Sequence, residues 1–194
     1  MSFFDTLFGR QKPAPAGPDK IFAMSTAQIT LQTEQNLTTT GAAAMCFKGM
    51  ASGPFTAIQT ELEQLLALAG REDNLTIKPT EDSLGYRWFV FSGSDFQALV
   101  TAVHMASSTL MDRGYDSQLL FAVFPFKYDS GKEMYWIYNY KRSFFYPFVP
   151  SRDASDSSRA RDNAEELRLT AALGKEMPLE PELERWFAVW NPPF

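Results

Sequence analysis

Aromatic and β-branched runs alternate with two well-punctuated amphipathic helices along this chain, and that succession limits the fold more than any other feature. The first such helix starts at Ser52 and Pro54 and carries Phe55, Ile58, Leu62, Leu65, Leu66 and Ala69 at helical spacing, with Gly70 as its stop. The second opens with Ser94 and Gln97 as a capping box and presents Phe96, Leu99, Val100, Val103, Ala106 and Leu110 before Gly114. Around them lie the strand candidates. Gly41 to Lys48 is apolar and bounded by glycines, and Leu75 to Lys78 is a brief run. From residue 86, Tyr86, Trp88 and Val90 alternate with Arg87, Phe89 and Phe91, so both faces are apolar, as in a central strand. Leu119 to Phe126 and Met134 to Lys141 form a hairpin across Asp129, Ser130 and Gly131. Residues 143–150 add an edge strand, because Pro147 has no N–H to give a ladder.

The remaining segments complete the architecture. Asp19 caps a short helix through Met24, and Ile29 to Thr33 is at most a short strand in an otherwise unpatterned, Thr- and Gln-rich stretch. Ser151 to Arg161 reads as an exposed loop. Asp162 and Glu165 form a capping box for a helix to Leu173, stopped by Gly174, and a last helix is expected from about Glu180 and Pro181, carrying Leu183, Trp186 and Phe187. The expected fold is α+β, an antiparallel or mixed sheet of about five to six strands with helices packed on one face. A ferredoxin-like βαββαβ core with an extra strand and C-terminal helices is the alternative. Residues 1–18 form a separate arm: Phe3, Phe4, Leu7 and Phe8 share one helical face, and QKPAPAGP makes an extended connector to a single domain over residues 19–194.

Composition removes several function classes. Eighteen Lys plus Arg against 23 Asp plus Glu leave a net charge of −5, which provides no overall field for nucleic acid. With one His and one Cys, the chain has neither an internal disulfide nor a His-rich metal site. Cys46 sits in an apolar strand and reads as a small buried hydrophobe, and His104 lies on the flank of a helix stripe as a half-buried structural residue. No G-x-S-x-G elbow, phosphate loop or G-x-G-x-x-G turn occurs. Glu61 with Glu63 and Glu165 with Glu166 are spaced so that they do not share a helix face, and read as solvated carboxylates. No cofactor is implied. No apolar run reaches the roughly 18 residues of a membrane span and no secretory signal opens the chain, so a cytoplasmic location is expected.

The stretch from Tyr135 to Phe148 departs most from average composition, with Lys141 and Arg142 set among aromatics. Strand alternation gives it one face of Met134, Trp136, Tyr138 and Tyr140 against the core and another of Tyr135, Ile137 and Asn139, partly wet and fit for a partner. Base stacking and a small-ligand pocket are the competing readings. Charge is also segregated. Residues 127–161 hold seven basic and four acidic side chains (+3), and residues 162–194 hold three basic and seven acidic (−4), which suits internal pairing or docking on a complementary protein. Phe3, Phe4, Leu7 and Phe8, with Arg10 and Lys12 beside them, suit burial against a domain or partner, or a membrane interface.

The opening MSFFDTLFGR, YKRSFFYPFVP (Tyr140 to Pro150), RDNAEEL (Arg161 to Leu167) and MPLEPELERWFAVW (Met177 to Trp190) together resemble the PspA-associated PspAB family of bacterial phage-shock loci, over essentially the whole length. The resemblance implies a small soluble protein linked to PspA, a membrane-associated coiled-coil scaffold that responds to envelope damage, and a function of interaction at the inner face of the membrane. It carries over no catalytic residue; an enzyme acting on a small molecule in a pocket under the sheet and a secretion-chaperone-like module that binds an extended client are the alternative readings. The matching positions Tyr140, Lys141, Arg142, Phe145, Tyr146, Pro147 and Phe148, and Arg185, Trp186, Phe187 and Trp190, are candidate structural or docking residues, and the resemblance does not choose between those roles.

Overall fold

The computed structural model describes residues 18–50, 53–72, 74–151 and 160–194. The expected arm with Phe3, Phe4, Leu7 and Phe8, the helix start at Ser52 and most of the loop before Arg161 lie outside the described residues. A 3-10 turn at Pro18–Phe22 leads into α1 (Ala23–Glu34); then follow β1 (Leu37–Thr39), β2 (Ala42–Lys48), α2 (Gly53–Glu72), β3 (Thr76–Glu81), β4 (Tyr86–Ser92) and α3 (Phe96–Asp112). The second half comprises β5 (Leu119–Tyr128), β6 (Glu133–Asn139), β7 (Phe144–Phe148), α4 (Asn163–Leu173) and an irregular C-terminal segment with a 3-10 turn at Leu183–Arg185.

The strands form an open sheet in the order β3-β4-β2-β5-β6-β7, with β1 paired to the far end of β5, and every strand pair is antiparallel. The fold is therefore α+β, as the succession of elements required. The run β2-α2-β3-β4-α3-β5 also follows the split βαβ order, with β4 seated between β3 and β2, and the β6-β7 hairpin extends it. Alanine-rich β2 holds its place despite poor strand propensity because it is paired on both sides, to β4 and β5, with a bulge at Cys46/Phe47 against β5. Edge strand β3 accommodates Pro79, and edge strand β7 accommodates Pro147.

Alternation sorts the sheet's side chains into two cores. Met45, Phe47, Phe89, Phe91, Phe124 and Trp136 meet Leu99, Val103 and Leu110 of α3, Leu62 and Leu66 of α2 and Met24 and Leu31 of α1. On the other face, Ala44, Cys46, Trp88, Val123, Ile137 and Phe148 form a second cluster, closed by Trp186 and Val189. All the regular helices that contact the helix-side core leave this second face free, so the C-terminal segment covers it.

Four local expectations are corrected. α1 runs to Glu34 in place of a short helix and a strand at Ile29 to Thr33: Met24, Ala27 and Leu31 bury a narrow stripe under a polar exterior that hid the period. Asp95, not Ser94, caps α3, its carboxylate accepting from the N–H groups of Gln97 and Ala98 at 2.8 and 3.1 Å. α2 continues past Gly70 to Glu72. Finally, the expected last helix is absent. Pro181 limits it at one end and Pro192 at the other, and an extended path lets Trp186 and Val189 reach the sheet while Phe187 points to solvent.

Trp186 stacks on Tyr146 at 6.3 Å between centroids and donates its indole N–H to the Glu180 carbonyl at 3.0 Å. Trp186→Ala removes that contact and leaves a void over the sheet, and it is expected to cost about 3–5 kcal/mol in urea unfolding; a loss below about 1 kcal/mol would place the side chain outside the core.

Candidate interaction surface

The segment predicted for partner contact is mostly interior. Tyr140, Phe145, Tyr146, Phe148 and Trp186 are buried, and Trp190 is half-buried with its ring edge-on to Phe148 at 4.8 Å. These aromatics serve the fold: Tyr140 and Phe145 belong to the helix-side core, and Tyr146 and Phe148 lie on the opposite face, which Trp186, Val189 and Trp190 roof. Of the basic residues, Lys141 remains exposed at the β6-β7 turn, where its backbone N–H donates to Asn139 Oδ1 at 3.0 Å. Arg142 and Arg185 are held in ion pairs.

Those ion pairs clasp the C-terminal segment to the sheet edge. The buried carboxylate of Glu180 receives the Nε and a terminal N–H of Arg142, the latter at 2.9 Å. The same guanidinium reaches Glu182 at 2.9 Å, and Arg185 closes on Glu182 at 2.7 Å. Glu180, more than any other contact, pushes the Arg142 pKa up. The backbone joins in: Phe145 N–H donates to the Pro178 carbonyl and Glu180 N–H to the Phe145 carbonyl, both at 2.8 Å. A second arginine secures the crossing. Arg161 binds Glu166 at 3.0 Å, donates to the Trp186 carbonyl at 2.6 Å and lies over the Phe148 ring at 5.3 Å.

Reading Glu165 and Glu166 as solvated is corrected by the same geometry. Glu166 is buried and also accepts the Val149 N–H at 2.9 Å; burial holds its carboxyl above the ordinary range against those donors. Glu165 accepts the Tyr128 hydroxyl and Arg168, which holds its carboxyl low. Sequence reasoning missed Glu180, Glu166 and Arg161, although the opposed charges of residues 127–161 and 162–194 were their signal. The pairs Arg142–Glu180, Arg161–Glu166 and Lys132–Asp162 bring groups of opposite charge together at the sheet's β7 end.

Elsewhere the chemistry is sparse. Cys46 is buried, and burial followed by the charge of Asp82 pushes its thiol far up, away from reactivity. His104 packs on Phe22 at 4.6 Å and lies 3.2 Å from Asp19, tying the turn before α1 to α3. An open cleft of about 230 Å³ lies beside α2, β3 and β4, lined by Phe47, Gln59, Glu81, Arg87 and Phe89. No cluster of metal-ligating side chains occurs among the described residues. The exposed apolar side chains include Leu84 (80%), at a hairpin tip ordered by Asp82 accepting from the N–H groups of Leu84 and Tyr86 and the Trp88 indole, Phe187 (64%) and Ile29 (60%).

The pairs Arg142–Glu180 and Lys132–Asp162 are each open to test. Arg142→Ala strands a buried carboxylate and is expected to cost about 3–5 kcal/mol in urea unfolding, whereas the double change R142M/E180L should cost clearly less; equal losses would deny the pair its role. Lys132 is the chief cause holding Asp162 below its ordinary carboxylate value. A depressed carboxylate contributes stability above its unfolded pKa and loses it as pH falls through the folded one. Lys132→Met should therefore lower the urea midpoint at about pH 7, and the deficit should shrink as pH falls below the ordinary carboxylate range and Asp162 takes up its proton.

A family model described as PspAB, PspA associated protein B, matches residues 1–194, the whole chain. No curated protein matches the chain. No solved structure matches it either. On the strength of the full-length match, the chain belongs to the PspAB family, PspA associated protein B.

Proposed function

We propose that this protein is a non-enzymatic adaptor of the phage-shock envelope-stress response, which binds PspA or another component of that system at the cytoplasmic face of the membrane. Nucleic acid has no part in this reading, since the chain carries a net charge of −5. The observation that carries it is how the ionisable groups are used. Arg142, Arg161, Glu166 and Glu180 fasten one segment of the chain to another, while Leu84 and Ile29 stand exposed on ordered elements. A contact made through them would bury their apolar surface on the partner. The arm with Phe3, Phe4, Leu7 and Phe8 adds a second, amphipathic means of contact with the partner or the lipid surface.

Crosslinked pull-downs from membrane-stressed cells test this with the full chain, a chain lacking residues 1–12, and the double variant L84S/I29S. PspA or another phage-shock component should be recovered with the full chain and fall about tenfold in at least one altered chain, equivalent to about 1.4 kcal/mol of binding. The surface variant should unfold within about 0.5 kcal/mol of wild type. Failure to recover any such component with the full chain would sink the adaptor reading.

A further inference from the structure

The C-terminal segment over residues 177–190 is bound to the sheet as an extended peptide ligand is bound. Apart from the 3-10 turn at Leu183–Arg185 it has no regular structure of its own. It joins the β7 edge in parallel through Phe145, whose N–H and carbonyl engage Pro178 and Glu180 on either side. This is the pattern of strand addition, in which backbone bonds give affinity and side-chain pockets give specificity. Here the pockets are plain: Arg142 takes the Glu180 carboxylate, Tyr146 and Phe148 take Trp186 and Trp190, and Arg161 takes the Trp186 carbonyl. The receiving surface is cationic and aromatic, and its occupant is acidic and aromatic.

We propose that the β7 edge and the aromatic face beside it form a docking groove for an extended segment of a partner protein, and that residues 177–190 are its resident, competing occupant. The partner segment has an acidic side chain followed six positions later by an aromatic one, the spacing of Glu180 and Trp186. The inference deepens the adaptor reading and rests on it only for the partner's place in the phage-shock system. Among the described residues, the segment's backbone pairs with a strand's backbone at Phe145 alone, so opening it leaves the ladders of the sheet intact. A resident tethered this closely competes at an effective concentration on the order of millimolar, so a partner gains access by binding better or by meeting a weakened strap.

The test uses the full chain and a fluorescent synthetic peptide of residues 176–192. Wild type should bind the peptide only near millimolar concentration, and full-length Trp186→Ala or Glu180→Gln at least about tenfold more tightly. A peptide carrying both Glu180→Gln and Trp186→Ala should not bind either variant. In wild type, amide exchange at Phe145 and Glu180 should be faster than at central β5, which decides the matter even where a variant fails to fold. Exchange there as slow as in β5, or a folded variant that binds no better than wild type, overturns the proposal. A concentration-dependent dimer that bars the peptide also overturns it, since the occupant is then a second copy. PspA capture without peptide binding overturns the groove and leaves the adaptor reading standing; peptide binding without capture does the reverse.

Discussion

A sheet whose strands are apolar on both faces has to be covered twice, and everything distinctive about this molecule follows from how the second cover is made. Trp88, Val90, Ile137 and Phe148 point away from the helix-side core and would be exposed to water without a further layer. At about 25 cal/mol per Å² of apolar surface, a cluster of that size left wet would cost several kcal/mol, a large share of a domain's net stability. The chain solves this with about a dozen C-terminal residues laid flat. A helix over the same residues would have sent one stripe inward. The extended path brings in Trp186 and Val189 and turns Phe187 outward.

The extended solution needs anchoring, because a strand-like segment with few ladder bonds gains little from its own backbone. Arginines at the β7 end supply the anchors. A buried pair stabilises little against an apolar alternative, but it is costly to break from one side, so it fixes where the segment sits. Arg142 sets the position of Glu180, and Arg161 sets the crossing at Trp186. Lys132, Arg142 and Arg161 of the basic stretch thus spend their charge on Asp162, Glu166, Glu180 and Glu182 of the acidic one.

The sequence shows the helix-side half of the structure well and the second layer poorly, for a definable reason. The stripes of α2 and α3, the β5-β6 hairpin and the Asp162 cap are local patterns, and local patterns are what periodicity reports. The C-terminal cover is decided by distant partners: Trp186 and Trp190 carry helical spacing but find Tyr146 and Phe148 across the fold. For the same reason the aromatics from Tyr140 to Phe148 looked like a docking surface, since nothing local announces that another part of the chain already occupies it. α1 was obscured differently, because alanine and methionine form a weak stripe among Thr and Gln.

The two ends of the strand order are defended by different means, and the difference bears on how this protein meets others. At β3, Pro79 removes a donor from the outer edge and Lys78 and Glu81 add charge, features that discourage any strand from pairing there. At β7, Pro147 also lacks a donor, yet the edge at Phe145 is paired, and by a segment of the same chain. An edge protected by composition stays closed to every partner. An edge protected by an occupant is closed only while that occupant holds its seat, so recognition through backbone pairing has a place to act at β7, beneath residues 177–190.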